Sequence, residues 1–122
     1  SQTCFAVMGL LPGNARVGGS VRFDGEELVG APRRRLDQLR GRRMGIVFQD
    51  PMTALTPHRT VGAQLCEVVA QHEGVAREEA RRRALEIMER VRITDPERRF
   101  DMYPFELSGG MRQRIVIAAA LV

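Results

Sequence analysis

The chain has 122 residues, 43% of them hydrophobic, and its 19 basic and 15 acidic side chains give a formal net charge of +4. All 19 basic residues are arginine, which excludes a lysine nucleophile, a Schiff-base mechanism and a phosphate-binding P-loop lysine within this stretch. No run approaches the ~18 apolar residues that cross a bilayer, and the start lacks the zones of a signal peptide, so a soluble chain of single-domain length is expected.

Cys4 and Cys66 form no Cys-x-x-Cys or Cys/His cluster, so neither metal ligation nor a disulfide framework is indicated, and two free thiols fit a reducing compartment. The chain does not open on methionine, and residues 115–122 form an apolar helical pattern with no cap after it. Both ends read as those of a fragment.

Residues 3–11 are apolar and helix-compatible, the tail of a buried helix that Pro12-Gly13-Asn14 ends. Gly18-Gly19 opens an alternating strand at 20–23, closed by the turn pair Asp24-Gly25. Pro32 suits the first turn of a helix bearing Leu36 and Leu39, which Gly41 ends. The apolar, branched run 44–48 reads as a buried strand with Gln49 at its end, and the proline- and threonine-bearing stretch 50–60 as a defined but mostly non-helical loop.

A helix then places Val61, Leu65, Val68, Val69 and His72 on one face and stops at Gly74. The next carries Ala80, Ala84, Met88 and Val91 on one stripe, with Glu78–Arg82, Glu79–Arg83 and Glu86–Arg90 spaced as i,i+4 pairs worth about 0.2–0.5 kcal/mol each. After a loop from Asp95-Pro96 to Pro104, Ser108 caps a last helix with Met111, Ile115, Ala118, Ala119 and Val122 on one face.

The string Leu107-Ser108-Gly109-Gly110-Met111-Arg112-Gln113-Arg114 places two glycines after a capping serine, leaving backbone N–H groups open to close approach. The orphan donors and the helix dipole act together on anions, and phosphate is the natural ligand. Taken alone, the same residues describe an ordinary capped helix with a flexible entry. The eight residues together resemble the signature motif of ATP-binding-cassette (ABC) ATPases, and the Met-Arg-Gln-Arg continuation resembles the subgroup that imports peptides and related solutes. Met111 stands where glutamine is commoner, a substitution typical of that subgroup that leaves the backbone donors intact.

A second string, Ile46-Val47-Phe48-Gln49-Asp50-Pro51-Met52-Thr53, resembles the Q-loop of the same family. There Gln49 is implied to reach Mg2+ and the attacking water, since a neutral amide ligates a cation through oxygen without adding a proton-transfer group. By itself Gln49 would be a loop-capping amide. Ser1-Gln2-Thr3 and the helix after it resemble the segment following the Gly-Lys of a Walker A loop, which implies Ser1 as a Mg2+ ligand and Gln2 beside the phosphates.

The resemblance covers nearly the whole chain and points to the oligopeptide, dipeptide and nickel importer ATPases. It implies an α/β fold: a partial RecA-like P-loop NTPase core with an antiparallel β subdomain and an inserted helical subdomain. Residues 1–60 would hold the truncated core, the β subdomain (21–28) and the Q-loop; 61–106 the helical subdomain; 107–122 the signature and its helix. It further implies ATP and Mg2+ as cofactors and a second ATPase subunit facing this one head to tail, with Ser108, Gly109, Gly110 and Met111 on nucleotide held by that partner. Transmembrane permease subunits, near Glu67 and residues 51–60, would receive the motion at the cytoplasmic face of the inner membrane, with an extracytoplasmic solute-binding protein acting indirectly. The lysine loop, the Walker B carboxylates and the histidine switch would lie outside the chain, so the chain alone is expected not to hydrolyse ATP. His58 and His72 precede the signature and are expected as a loop and a helix-face residue.

Lacking its sheet neighbours, the apolar surface of 3–11 and 44–48 is expected to stand uncovered, while the helical segment holds its shape. The rival from another class is a small arginine-rich nucleic-acid-binding domain built on Arg33-Arg34-Arg35, Arg40, Arg42-Arg43 and Arg81-Arg82-Arg83. Interleaved glutamates, one tyrosine and no tryptophan argue against it, and no nucleic-acid partner is expected. A docking domain that lost nucleotide chemistry, and an ABC ATPase of another transport class such as an exporter or DNA-repair ATPase, are the remaining alternatives.

Overall fold

A computed structural model describes residues 2–48 and 54–122. They divide into two units, Ser1–Gly45 and Ile46–Val122, each with its own contacts.

In the first unit, α1 spans Gln2–Val7 and ends earlier than the proline at position 12 requires. Gly9 adopts a left-handed φ of 63°, its N–H donates to the Ala6 carbonyl at 3.0 Å, and the Leu10 N–H reaches back to Phe5 O at 2.8 Å. That pair of bonds is the Schellman closure, which glycine enters without a Cβ penalty. Arg40 seals the same helix end, its Nε donating to Met8 O at 2.8 Å and its Nη2 to Gly9 O at 3.0 Å. The expectation of a buried helix is corrected: none of the α1 residues is buried, because only Val7 reaches the small cluster of Leu28, Leu36 and Leu39.

Strands β1 (Arg22–Phe23) and β2 (Glu26–Glu27) pair antiparallel, Arg22 opposite Glu27 and Phe23 opposite Glu26. Asp24 and Gly25 have φ of 49° and 82°, the two positive values that a tight turn matching strand twist demands. Glu27 ties the hairpin together, accepting from the Val21 N–H at 2.8 Å, the Val29 N–H at 3.0 Å and the Ser20 hydroxyl. Helix α2 spans Arg33–Leu39, with Pro32 as its N-cap, and buries Leu36 and Leu39. Gly41 follows with φ 74°.

The buried strand expected at 44–48 is not formed. Met44 makes an isolated parallel bridge with Arg40, the next residues have no regular structure, and Phe48 is 49% exposed. A strand buried on both faces needs a ladder beside it, and the described strands β1 and β2 pair with each other.

The second unit is helical. Helix α3 spans Val61–Glu73, α4 Arg77–Arg90, α5 Pro96–Phe100 and α6 Gly109–Ala120, with a 3-10 turn at Pro104–Glu106. Thr60 caps α3 by accepting from the Ala63 N–H, and Gly74, with φ 66°, ends it. Gln64 clamps the loop before it, accepting from the Thr56 N–H at 2.8 Å and donating to the carbonyls of Thr56 and Arg59 at 3.0 Å each. Leu65, Val69, Ala84, Met88 and Ile115 meet in a core with 0–1% exposure. Burial of each larger side chain among them is worth about 1.5–3 kcal/mol.

Gly62 brings α3 close against α5: a Cβ there would lie 2.2 to 2.4 Å from the Phe100 ring. His72 is exposed, not on the buried face, since Val61, Leu65 and Val69 set that face and Glu73 begins the end of the helix. On α4 the buried stripe includes Ile87 beside Ala80, Ala84 and Met88, and Val91 is half-buried. Of the expected ion pairs only Glu79–Arg83 forms, at 2.9 Å. Arg82 turns to Glu79 at 2.5 Å and to Glu86, so among the described residues Glu78–Arg82 and Glu86–Arg90 are not made. A three-residue spacing places a neighbour on the same helix face as well as a four-residue one does.

Candidate functional site

The candidate site is the start of α6. Buried Leu107 anchors the approach, and before it Pro104–Glu106 turn tightly, the Glu106 carboxylate accepting from the Tyr103 N–H at 2.7 Å. Sequence reasoning missed this brace, because the usual signal for it is serine or threonine three residues before glutamate and here a tyrosine supplies only its backbone. Ser108 is the N-cap, with φ −62° and ψ 158°. Its Oγ accepts from the Met111 N–H at 3.3 Å and its carbonyl from the Arg112 N–H at 2.9 Å.

The N–H groups of Gly109 and Gly110 have no acceptor among the described residues, and both glycines are exposed. Neither has a positive φ, and a Cβ built on either meets nothing within 4 Å. So neither backbone conformation nor packing against the described residues requires glycine at these two positions. What the missing side chains provide is an unobstructed approach to two uncovered donors at the positive end of a 12-residue helix whose first turn has no acidic residue.

The rest of the string is tied into the fold. Met111 is half-buried against the core, Arg112 and Gln113 are half-buried, and Arg114 donates to the Arg92 carbonyl at 2.6 Å. That last bond holds the loop where Arg92 takes a φ of 62°. Gln2 is an exposed first residue of α1 in the other unit. Ser1, Gln49, Asp50, Pro51 and Met52 lie outside the described residues. Among the described residues no three His, Cys, Asp or Glu side chains gather as a metal site.

The basic triple of α4 is largely engaged. Arg81 lies 4.2 Å over the Phe100 ring, and Arg82 and Arg83 pair with glutamates, Arg83 also reaching Glu73 at 3.0 Å. A free basic face for nucleic acid is therefore not formed there. Arg82 and Arg83 in turn hold the Glu79 carboxyl down at about 2.

The family model described as ABC transporter matches residues 6–122. The chain belongs to the ABC transporter family. Membership implies a P-loop NTPase fold, and the small antiparallel sheet and helices described above are consistent with part of one. The chain is 47% identical over 122 residues to the oligopeptide transport ATP-binding protein OppD of Salmonella typhimurium, covering 100% of this chain and 36% of that protein. It is 50% identical over 122 residues to the OppD protein of Mycobacterium tuberculosis, covering 99% of this chain and 20% of the relative. The probable peptide ABC transporter ATP-binding protein y4tR of Sinorhizobium fredii is 49% identical over 123 residues, covering 99% and 37%. The chain thus spans about a third or less of the length of these ABC relatives. Among the described residues no helix is long and apolar enough to cross a membrane.

Proposed function

We propose that the chain is part of the ATP-binding and ATP-hydrolysing subunit of an ABC importer for oligopeptides, dipeptides or related solutes. The observation that carries this is the start of α6, where Gly109 and Gly110 leave two donors uncovered with no internal reason among the described residues. Three phosphate-recognition elements coincide there: orphan N–H groups, a helix dipole and a serine hydroxyl. The names of the relatives favour peptides as the solute class.

In this reading residues 1–60 belong to a RecA-like core with an antiparallel β subdomain, 61–106 to a helical subdomain and 107–122 to the signature helix. Ser108, Gly109, Gly110 and Met111 face nucleotide held by a second ATPase subunit arranged head to tail. Closure would order the anionic phosphates against the two N–H groups, and catalysis then follows from positioning and electrostatics. Gln2 lies beside the phosphates of this subunit's own nucleotide. The hydroxyl of Ser1 and the amide oxygen of Gln49 are hard oxygen donors, the chemistry that suits Mg2+. Mg2+, when bound, neutralises charge developing on the phosphates. Transmembrane permease subunits transmit the closure, a solute-binding protein delivers the cargo, and the subunit is peripheral at the cytoplasmic face of the membrane.

Because the chain has no lysine, the 122 residues by themselves are proposed not to turn over ATP. The test is ATP hydrolysis by the reconstituted transporter that carries this sequence. Ser108→Arg puts a bulky side chain over the two donors and should lower turnover by about two orders of magnitude, as loss of a preorganised donor site does. Unchanged turnover would contradict the reading.

A further inference from the structure

Helix α2 and the turn after it carry six arginines, and three of them have partners. Arg35 grips Glu26 through two bonds of 2.7 Å, Arg40 holds Asp37 at 2.5 Å as well as the end of α1, and Arg43 pairs with Asp24 and lies 5.7 Å over the Phe23 ring. Arg33, Arg34 and Arg42 differ. All three are exposed, and among the described residues their side chains make no ion pair or hydrogen bond. Together with Asp37 and Gln38 they line one open depression of about 670 Å³.

Among the described residues the only carboxylate in that depression is Asp37, already engaged by Arg40. Three guanidinium groups thus share one dent without a free counter-charge, a repulsion that an anionic surface would reverse. The lining has no apolar or aromatic side chain. It therefore lacks the walls that hold a small organic ligand and the stacking platforms that hold unpaired bases, and the nearby Phe23 face is covered by Arg43. An extended layer of negative headgroups needs neither, and the membrane-peripheral reading of the chain favours it over duplex phosphates, which the experiment below separates.

We propose that Arg33, Arg34 and Arg42 form a contact for anionic phospholipid headgroups at the membrane surface. The proposal rests on the membrane-peripheral reading of the chain, not on its nucleotide chemistry. Each arginine near such a surface should contribute about a fivefold gain in partitioning, and the three together on the order of a hundredfold.

The experiment is co-sedimentation of the full ATPase subunit that carries this sequence, purified without permease or nucleotide, with vesicles of phosphatidylglycerol and phosphatidylcholine, and with vesicles of phosphatidylcholine alone. Binding to the anionic vesicles is expected at low salt, weakening as salt screens it. The variant Arg33→Gln/Arg34→Gln/Arg42→Gln should lose on the order of a hundredfold in partitioning. A charge-matched control, Arg77→Gln/Arg90→Gln/Arg98→Gln, should lose far less, and circular dichroism shows that both keep their helices. Equal losses in the two variants, retention of binding in the first, or binding to duplex DNA but not to anionic vesicles would each overturn the proposal. No nucleotide or permease is present, so failure here leaves the ATPase reading standing and failure of the hydrolysis test leaves this one standing.

Discussion

Single side chains set the tightest limits on this molecule. At Gly62 an added methyl group meets the Phe100 ring at 2.2 to 2.4 Å, so close that the ring or one of the two helices must shift. Gly62→Ala should therefore lower stability by about 1–3 kcal/mol, as overpacking does, read as a fall in thermal midpoint. Adding Phe100→Leu should recover part of that loss, whereas no change in midpoint for Gly62→Ala would show that α3 and α5 do not approach as described. Glu27 makes a pH prediction. Ser20 first, then the N–H groups of Val21 and Val29, stabilise its charged form and lower its pKa to about 2. The hairpin support it gives is thus complete above the ordinary glutamate range and is lost as pH falls through about 2. A carboxyl titration by NMR should give a midpoint near that value for Glu27, and a midpoint in the ordinary range would show that the three bonds are not kept in solution. Neither feature was legible in the sequence, because Gly62 and Phe100 stand 38 positions apart and a glutamate that accepts from three donors looks like any other glutamate.

The helices of the second unit were readable wherever local signals and packing agree. Ser108 and Gly74 sit at helix ends in the structure, and the apolar stripes of α4 and α6 point into one core. Ser108→Ala should cost about 1 kcal/mol through loss of the cap to Met111, measured as a shift in the unfolding midpoint. A shift near zero would mean that the serine hydroxyl is not needed to start α6. Reading failed where the partner decides. The run 44–48 has strand composition but no described neighbour to pair with, and Phe48 stands half in solvent. Helix α1 ends at Val7, closed by the Schellman bonds of Gly9 and Leu10 and reinforced by Arg40, a side chain 31 residues from Gly9. The arginine pairs of α4 shifted partners because equivalent glutamates lie within reach on both sides of Arg82.

At the scale of the whole molecule the two units are unequal. Three buried residues centre the first, while the second gathers Leu55, the stripes of α3, α4 and α6, and Phe100 into one core. The signature helix α6 belongs to that better-packed unit, so its exposed glycine start is presented by a firm scaffold and not by a loop. The eight-residue string was legible as a motif, and the structure separates its members: Leu107 and Arg114 hold the fold, while Ser108, Gly109 and Gly110 are left at the surface. The Q-loop and Ser1 fall outside the described residues, so nucleotide contact at this helix start is the claim to test. In the assembled transporter, with Cys4 and Cys66 replaced by serine and alanine, Ser108→Cys would carry the only thiol of this chain, and its alkylation rate is measured with and without ATP and Mg2+. Saturating ATP should slow alkylation severalfold as nucleotide covers the helix start, whereas a rate indifferent to ATP would contradict the assignment of Ser108, Gly109 and Gly110 to the nucleotide.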